Sequence, residues 1–183
     1  MFPRLSLYVS SILQNRKQKK DFLKIEDFIG REQKGINALP LISEPKKGTL
    51  IVKCDDIGDF LLWQQVIPHI KANADGPITF VGNSVIKPLI DAWFDFADHY
   101  IWIQKSKWDD ANYRMGIYKQ LRLINAKVAF TPLFTRHFRM DDLMLYASNA
   151  DSRYAWDRSH HPYFPEMTAS DALVTNPIKS ETV

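Results

Sequence analysis

The sequence predicts an α/β fold in which helices flank a parallel sheet. Two observations carry this. From Thr49 onward, short apolar runs bounded by Gly, Pro, Asn or Asp alternate with longer stretches of helical periodicity. That alternation is the signature of right-handed strand–helix–strand units. The first run, residues 50–54, is also apolar nearly throughout, as a strand buried on both faces must be.

The elements follow in order. Residues 50–54 form the first strand. Phe60, Leu61, Val66, Ile67 and Ile70 place a helix after it. Residues 77–81 form a second strand, with Gly82 and Asn83 as its exit turn. Residues 85–93 suit a helix with Pro88 in its first turn, where a missing N–H costs nothing. Residues 100–103 make a third strand. Residues 112–124 make a helix with Tyr113, Ile117, Leu121 and Ile124 on one face. Residues 127–134 make a fourth strand and 140–147 a further helix, and residues 153–156 suit one more edge strand. The result is a Rossmann-like sheet.

Three regions emerge. Residues 1–45 read as an N-terminal helical and basic appendage: Phe2, Leu5, Val9 and Ile12, then Phe22, Ile25 and Ile29, recur at helical spacing around a basic run at 16–20. Residues 46–158 hold the sheet. Residues 159–183, with three prolines at 162, 165 and 177, read as a loop or disordered tail.

Composition bounds the function. The 183 residues fit one domain, or one and a small appendage, and the net charge of +3 gives no argument for nucleic acid. A single cysteine, Cys54, excludes an internal disulfide and suits a reducing compartment. No run approaches the roughly 18 apolar residues of a membrane span. A secretory signal is disfavoured because the short apolar stretch at 5–13 is followed by basic residues.

The chemistry concentrates after the first strand, where Asp55, Asp56 and Asp59 bracket Gly58. The carboxyl end of a first strand is where open α/β sheets bind ligands. A carboxylate there can take a proton from a substrate hydroxyl. The same residues also suit a helix start, with Asp56 capping and Asp59 in the reciprocal position. Both readings stand. Gly58 offers a sharp turn and a close approach to the main chain.

Other candidates are weaker. Arg136 and Arg139 follow the fourth strand on the same edge, and either hold an anionic ligand or pair with Asp141 and Asp142. Asn83 either reaches the cleft or ends a turn. His160 and His161 lack further ligands for a metal. Cys54 reads as a buried, inert thiol. The tryptophans read as core, with sugar stacking by Trp63 a minor alternative. Gly-x-Gly-x-x-Gly is missing after the first strand, which argues against a dinucleotide site.

The ordered set of Leu50 to Lys53, the polar turn, Gly58-Asp59, the Leu-rich helix and Pro68 resembles the opening of the heptosyltransferase-type glycosyltransferases, glycosyltransferase family 9. Residues 78–83 and 100–103 match that family's second and third strands, so the resemblance covers roughly residues 49–150. It implies the N-terminal, acceptor-side half of a GT-B fold. Asp59 would be the general base of a metal-independent, inverting sugar transfer in bacterial surface-glycan assembly, and no Asp-x-Asp pair occurs. Asp56, Gly58, Asn83, Arg136 and Arg139 would contact the acceptor, a lipid-linked anionic glycan.

No cofactor is expected beyond a nucleotide-sugar donor such as ADP-heptose. That donor would bind a second Rossmann-like domain for which these residues leave no room, so a partner chain is one source of it. A cytoplasmic location follows, with the N-terminal segment as a peripheral contact to the inner membrane face. The alternative is a non-catalytic Rossmann-like binding module or a truncated relic.

Overall fold

The computed structural model describes residues 21–157 and 168–179. Six parallel strands form one sheet in the order β3-β2-β1-β4-β5-β6. They are β1 (Thr49–Lys53), β2 (Ile78–Asn83), β3 (His99–Ile103), β4 (Val128–Phe130), β5 (Ser152–Trp156) and β6 (Asn176–Ile178). The chain starts in the middle, moves outward to β3, then crosses back to lay β4 beside β1. The strand order therefore reverses between β1 and β4, and the carboxyl ends of those two strands diverge into opposite halves of the molecule.

Both faces of β1 are covered, and its side chains divide by parity. Leu50 and Val52 join one core with Val81, Ile101, Ile117 and Leu121, whereas Ile51 joins a second with Phe60, Phe80 and Ile90. The second core is aromatic, with Phe80 and Phe96 meeting edge to face at 5.1 Å between ring centres.

Helices α2 (Ile57–Trp63), α3 (Ile67–Asn73) and α4 (Lys87–Trp93) follow β1 and β2. The expected single helix after β1 is two, joined by a 3-10 turn at Gln64–Val66, with Pro68 in the first turn of α3. Helix α5 (Ala111–Ile124) follows β3. It is capped by Asp110, whose carboxylate accepts from the Asn112 and Tyr113 amides, and ends at Asn125 in the left-handed conformation.

Three expectations are corrected. Helix α1 (residues 21–37) is no appendage: Ile29 and Ile36 are fully buried in the core of α5 and the sheet. Glu32 also grips Arg114 of α5 through two hydrogen bonds of 3.0 and 2.9 Å. The expected tail supplies α7 (Thr168–Asp171), the fully buried Leu173 and the sixth strand. Pro177 fits there because, among the described residues, β6 pairs only with β5, so no second ladder needs its N–H. Gly82 and Asn83 stay in β2 rather than forming its exit turn. Residues 1–20, and with them the proposed membrane contact, lie outside the described residues, as do His160 and His161. Among the described residues no helix is long and apolar enough to cross a membrane.

Candidate functional site

The chain leaves β1 at Lys53 and reaches α2 through Cys54, Asp55 and Asp56. Lys53 is buried, with 3 % of its side chain exposed, and its ammonium donates to Asp55 Oδ2. The same ammonium lies 5.7 Å from the centre of the Trp63 ring. Asn83 ties β2 to this turn. Its Nδ2 donates to the Asp55 carbonyl at 3.3 Å while its Oδ1 accepts from the Val85 amide. Asp56 is exposed and accepts from Lys105, just beyond β3, at 2.9 Å.

From the other half of the sheet, the chain after β4 runs into a single π-helical turn, Phe138–Asp142, where the Leu143 amide reaches back five residues to the Phe138 carbonyl. Such turns displace side chains from the α-helical register. His137 and Asp141 fix its start: the His137 amide donates to Asp141 Oδ2 at 2.6 Å, and His137 Nδ1 accepts from the Arg139 amide. Helix α6 (Leu143–Ala147) continues from it.

Between these two halves lies a hollow of about 290 Å³. Asp55, Lys105, Thr135, His137, Arg139 and Asp141 supply its polar lining, and Cys54, Trp108, Leu133 and Met140 the rest. It sits at the carboxyl edge of the sheet, at the strand-order reversal. A second hollow, of about 380 Å³, lies at the opposite edge against Gly48, Thr49, Asp75 and Lys127. Asp75 and Lys127 are solvated there and pair with each other. No buried titratable group lines that second hollow, nor the two hollows beside Phe96 that Lys71 and Asp95 border, among the described residues, so the first is the candidate site.

Burial is the main force on the titratable groups. It raises the Asp55 carboxyl above its ordinary value; the bond to Lys53 and that residue's charge pull it back, and the nearby Asp59 charge adds to the rise. Burial also raises the Cys54 thiol well above its usual value, which disfavours the thiolate.

The nominated residues divide. Asp59 is exposed on the first turn of α2, near enough to Asp55 for its charge to be felt, but outside the lining of the hollow. Asp56 makes no side-chain cap to α2, so the reciprocal capping arrangement is not formed. Gly58 is ordinary helix without positive φ, and a Cβ there would meet nothing within 4 Å. The backbone does not require glycine at 58, although the space in front of it is open. Arg139 lines the hollow, pairs with Asp109 at 2.7 Å and stacks 4.9 Å over Phe28. Arg136 is buried beneath, held by Asp142 at 2.8 Å and by Asp171 of α7. Trp63 packs against Phe60, Phe80 and Phe96.

No family model matches the chain, and no curated protein or solved structure matches it. What the site can do must come from its own groups.

The residue pattern does not mark Lys53, Lys105, His137 or Asp141 as site residues, and it marks Asp55 only as a neighbour of Gly58. A signal for the first pair was present. A lysine in a strand buried on both faces needs a counter-charge, and the side chain two residues on leaves the strand in the same direction. Lys105 and the π-turn groups carry no such signal, because only the folded sheet brings the exits of β3 and β4 to β1.

Proposed function

We propose that this chain is the acceptor-side half of a heptosyltransferase-like glycosyltransferase. The observation that carries the reading is the meeting of the β1–α2 turn, through Asp55, with a cation-bearing hollow at the strand-order reversal. Asp59, free of any capping duty toward Asp56, is the group that takes the proton of the attacking hydroxyl. The acceptor is a lipid-linked anionic glycan held at the hollow through Arg139 and Lys105. Their present partners, Asp109 and Asp56, are 88 % and 81 % exposed and exchange readily with a ligand. The nucleotide-sugar, of the ADP-heptose kind, comes from a second domain or chain facing this edge. No metal enters the proposal.

The test is a transfer assay with ADP-heptose and a truncated-core acceptor, run with and without a candidate donor-domain chain. Product in the complemented mixture supports the reading. In that mixture Asp59→Ala should lower turnover about 10²- to 10⁴-fold with the melting temperature almost unchanged, because the side chain is exposed and caps nothing. Near wild-type turnover would remove Asp59 from the reaction. Ligand binding without transfer would favour the second reading, a Rossmann-like module that binds without chemistry. That reading draws on the same hollow, whose lining includes Asp55 but not Asp59.

A further inference from the structure

Polar groups taken from water normally find a protein partner, and those that do not call for an explanation. Asp55 and Arg139, which line the candidate hollow, each carry such an atom. Asp55 Oδ1 is a buried acceptor and Arg139 Nε a buried donor, and neither has a hydrogen-bond partner among the described residues. They are opposite in kind and come from opposite halves of the sheet, Asp55 from the β1–α2 turn and Arg139 from the π-helical turn after β4.

We propose that Asp55 and Arg139 together read a polyhydroxylated ligand: one hydroxyl donates to Asp55 Oδ1, another ligand oxygen accepts from Arg139 Nε–H, and Lys53 is the residue that positions Asp55. The inference shares the hollow of the proposed function but needs no sugar transfer.

Several of the groups beside these two atoms are held. Lys53 holds Asp55 Oδ2, and Asn83 holds the Asp55 carbonyl. Asp109 holds Arg139 Nη2, and the Trp108 indole N–H fixes the Arg139 carbonyl at 2.8 Å. That leaves Asp55 Oδ1 as a buried acceptor and Arg139 Nε–H as a buried donor for a ligand. A bare anion satisfies Arg139 but places like charge against Asp55. A cation satisfies Asp55 but meets Lys53, Lys105 and Arg139. A neutral hydroxyl, able to donate and accept, suits both sides. Trp108, Leu133 and Met140 supply an apolar wall for the carbon skeleton. Lys105 stands ready for an anionic substituent.

The test is NMR of the full chain, following the Asp carboxyl ¹³C and Arg ¹⁵Nε signals during additions of sedoheptulose 7-phosphate, sedoheptulose and inorganic phosphate. The sugar phosphate should move Asp55 and Arg139 together, the free sugar should move both at higher concentration, and phosphate should move Arg139 alone. Asp55→Ala should weaken the sugar phosphate about 10- to 100-fold, the worth of a buried bond to a charged group. Because that variant strands the Lys53 charge, Lys53→Met/Asp55→Ala provides a second arm with both charges removed, and it should show the same loss. Movement of the Asp59 carboxyl in place of Asp55, equal movement of Asp55 by phosphate alone, or no movement with any probe would overturn the inference. A chain that binds as described but transfers nothing retains this inference and loses the proposed function. A chain that transfers while Asp55 and Arg139 stay unmoved loses this inference alone.

Discussion

Two carboxylates three positions apart in the β1–α2 turn region, Asp56 and Asp59, stand in solvent, while Asp55 beside them lies largely out of it. The difference sets their chemistry. Asp55 binds its proton more tightly folded than unfolded, so the native state holds more protons between the ordinary carboxylate value, about 3.9, and its own raised value. Stability linked to this group is therefore fully present below the ordinary value and is lost as pH rises through the raised one. Asp55→Asn should abolish that slope in urea unfolding measured across the same pH window. Two substitutions should move the Asp55 midpoint in opposite directions by carboxyl NMR. Lys53→Met raises it by removing a neighbouring cation, and Asp59→Asn lowers it by removing a like charge. Identical midpoints in all three proteins would mean that burial alone governs the group.

At the scale of elements, the two arginines after β4 separate by burial rather than by sequence. Arg136, 2 % exposed, sits on Asp142, which is fully buried, and reaches α7 through Asp171. Ser170 of α7 also donates to Asp142. Arg136→Ala strands a buried carboxylate and should cost about 3–5 kcal/mol in chemical unfolding. Arg139→Ala loses a solvated pair and a ring contact and should cost ~1 kcal/mol or less. Equal costs would contradict this division of labour between anchor and ligand contact. Their spacing in the chain is that of a helical neighbour pair, but Arg136 lies before the π-helical turn and Arg139 within it, so no regular helix sets the two on one face. Helix α7 and β6 were equally hidden. Four helical residues and a three-residue edge strand containing proline carry no periodicity to read. Their attachment is nonetheless firm. Leu173→Ala should destabilise by about 2–5 kcal/mol, and a neutral result would show that this segment adds nothing to the core.

The whole molecule was legible where it repeats a simple rule. The strand–helix alternation of residues 49–150 gave the parallel sheet, because β1 and β2 are buried on both faces and show it in their composition. Helix α1 was legible as a helix but not as part of the core. Its apolar stripe announces that something covers it, and only the fold reveals that α5 does, through Ile36 and the Glu32–Arg114 pair. The candidate hollow lies beside the turn that the residue pattern marks, but its lining is not legible as a set of residues. The turn after β1 marked the edge, while the residues that close the hollow come from three strand exits scattered along the chain. If this carboxyl edge receives the ligand, backbone amide NMR of the full chain during addition of sedoheptulose 7-phosphate shows it directly. Shifts should cluster at Asp55, Lys105, Thr135 and Arg139; shifts clustered instead at Gly48, Asp75 and Lys127 on the opposite edge would contradict ligand binding here.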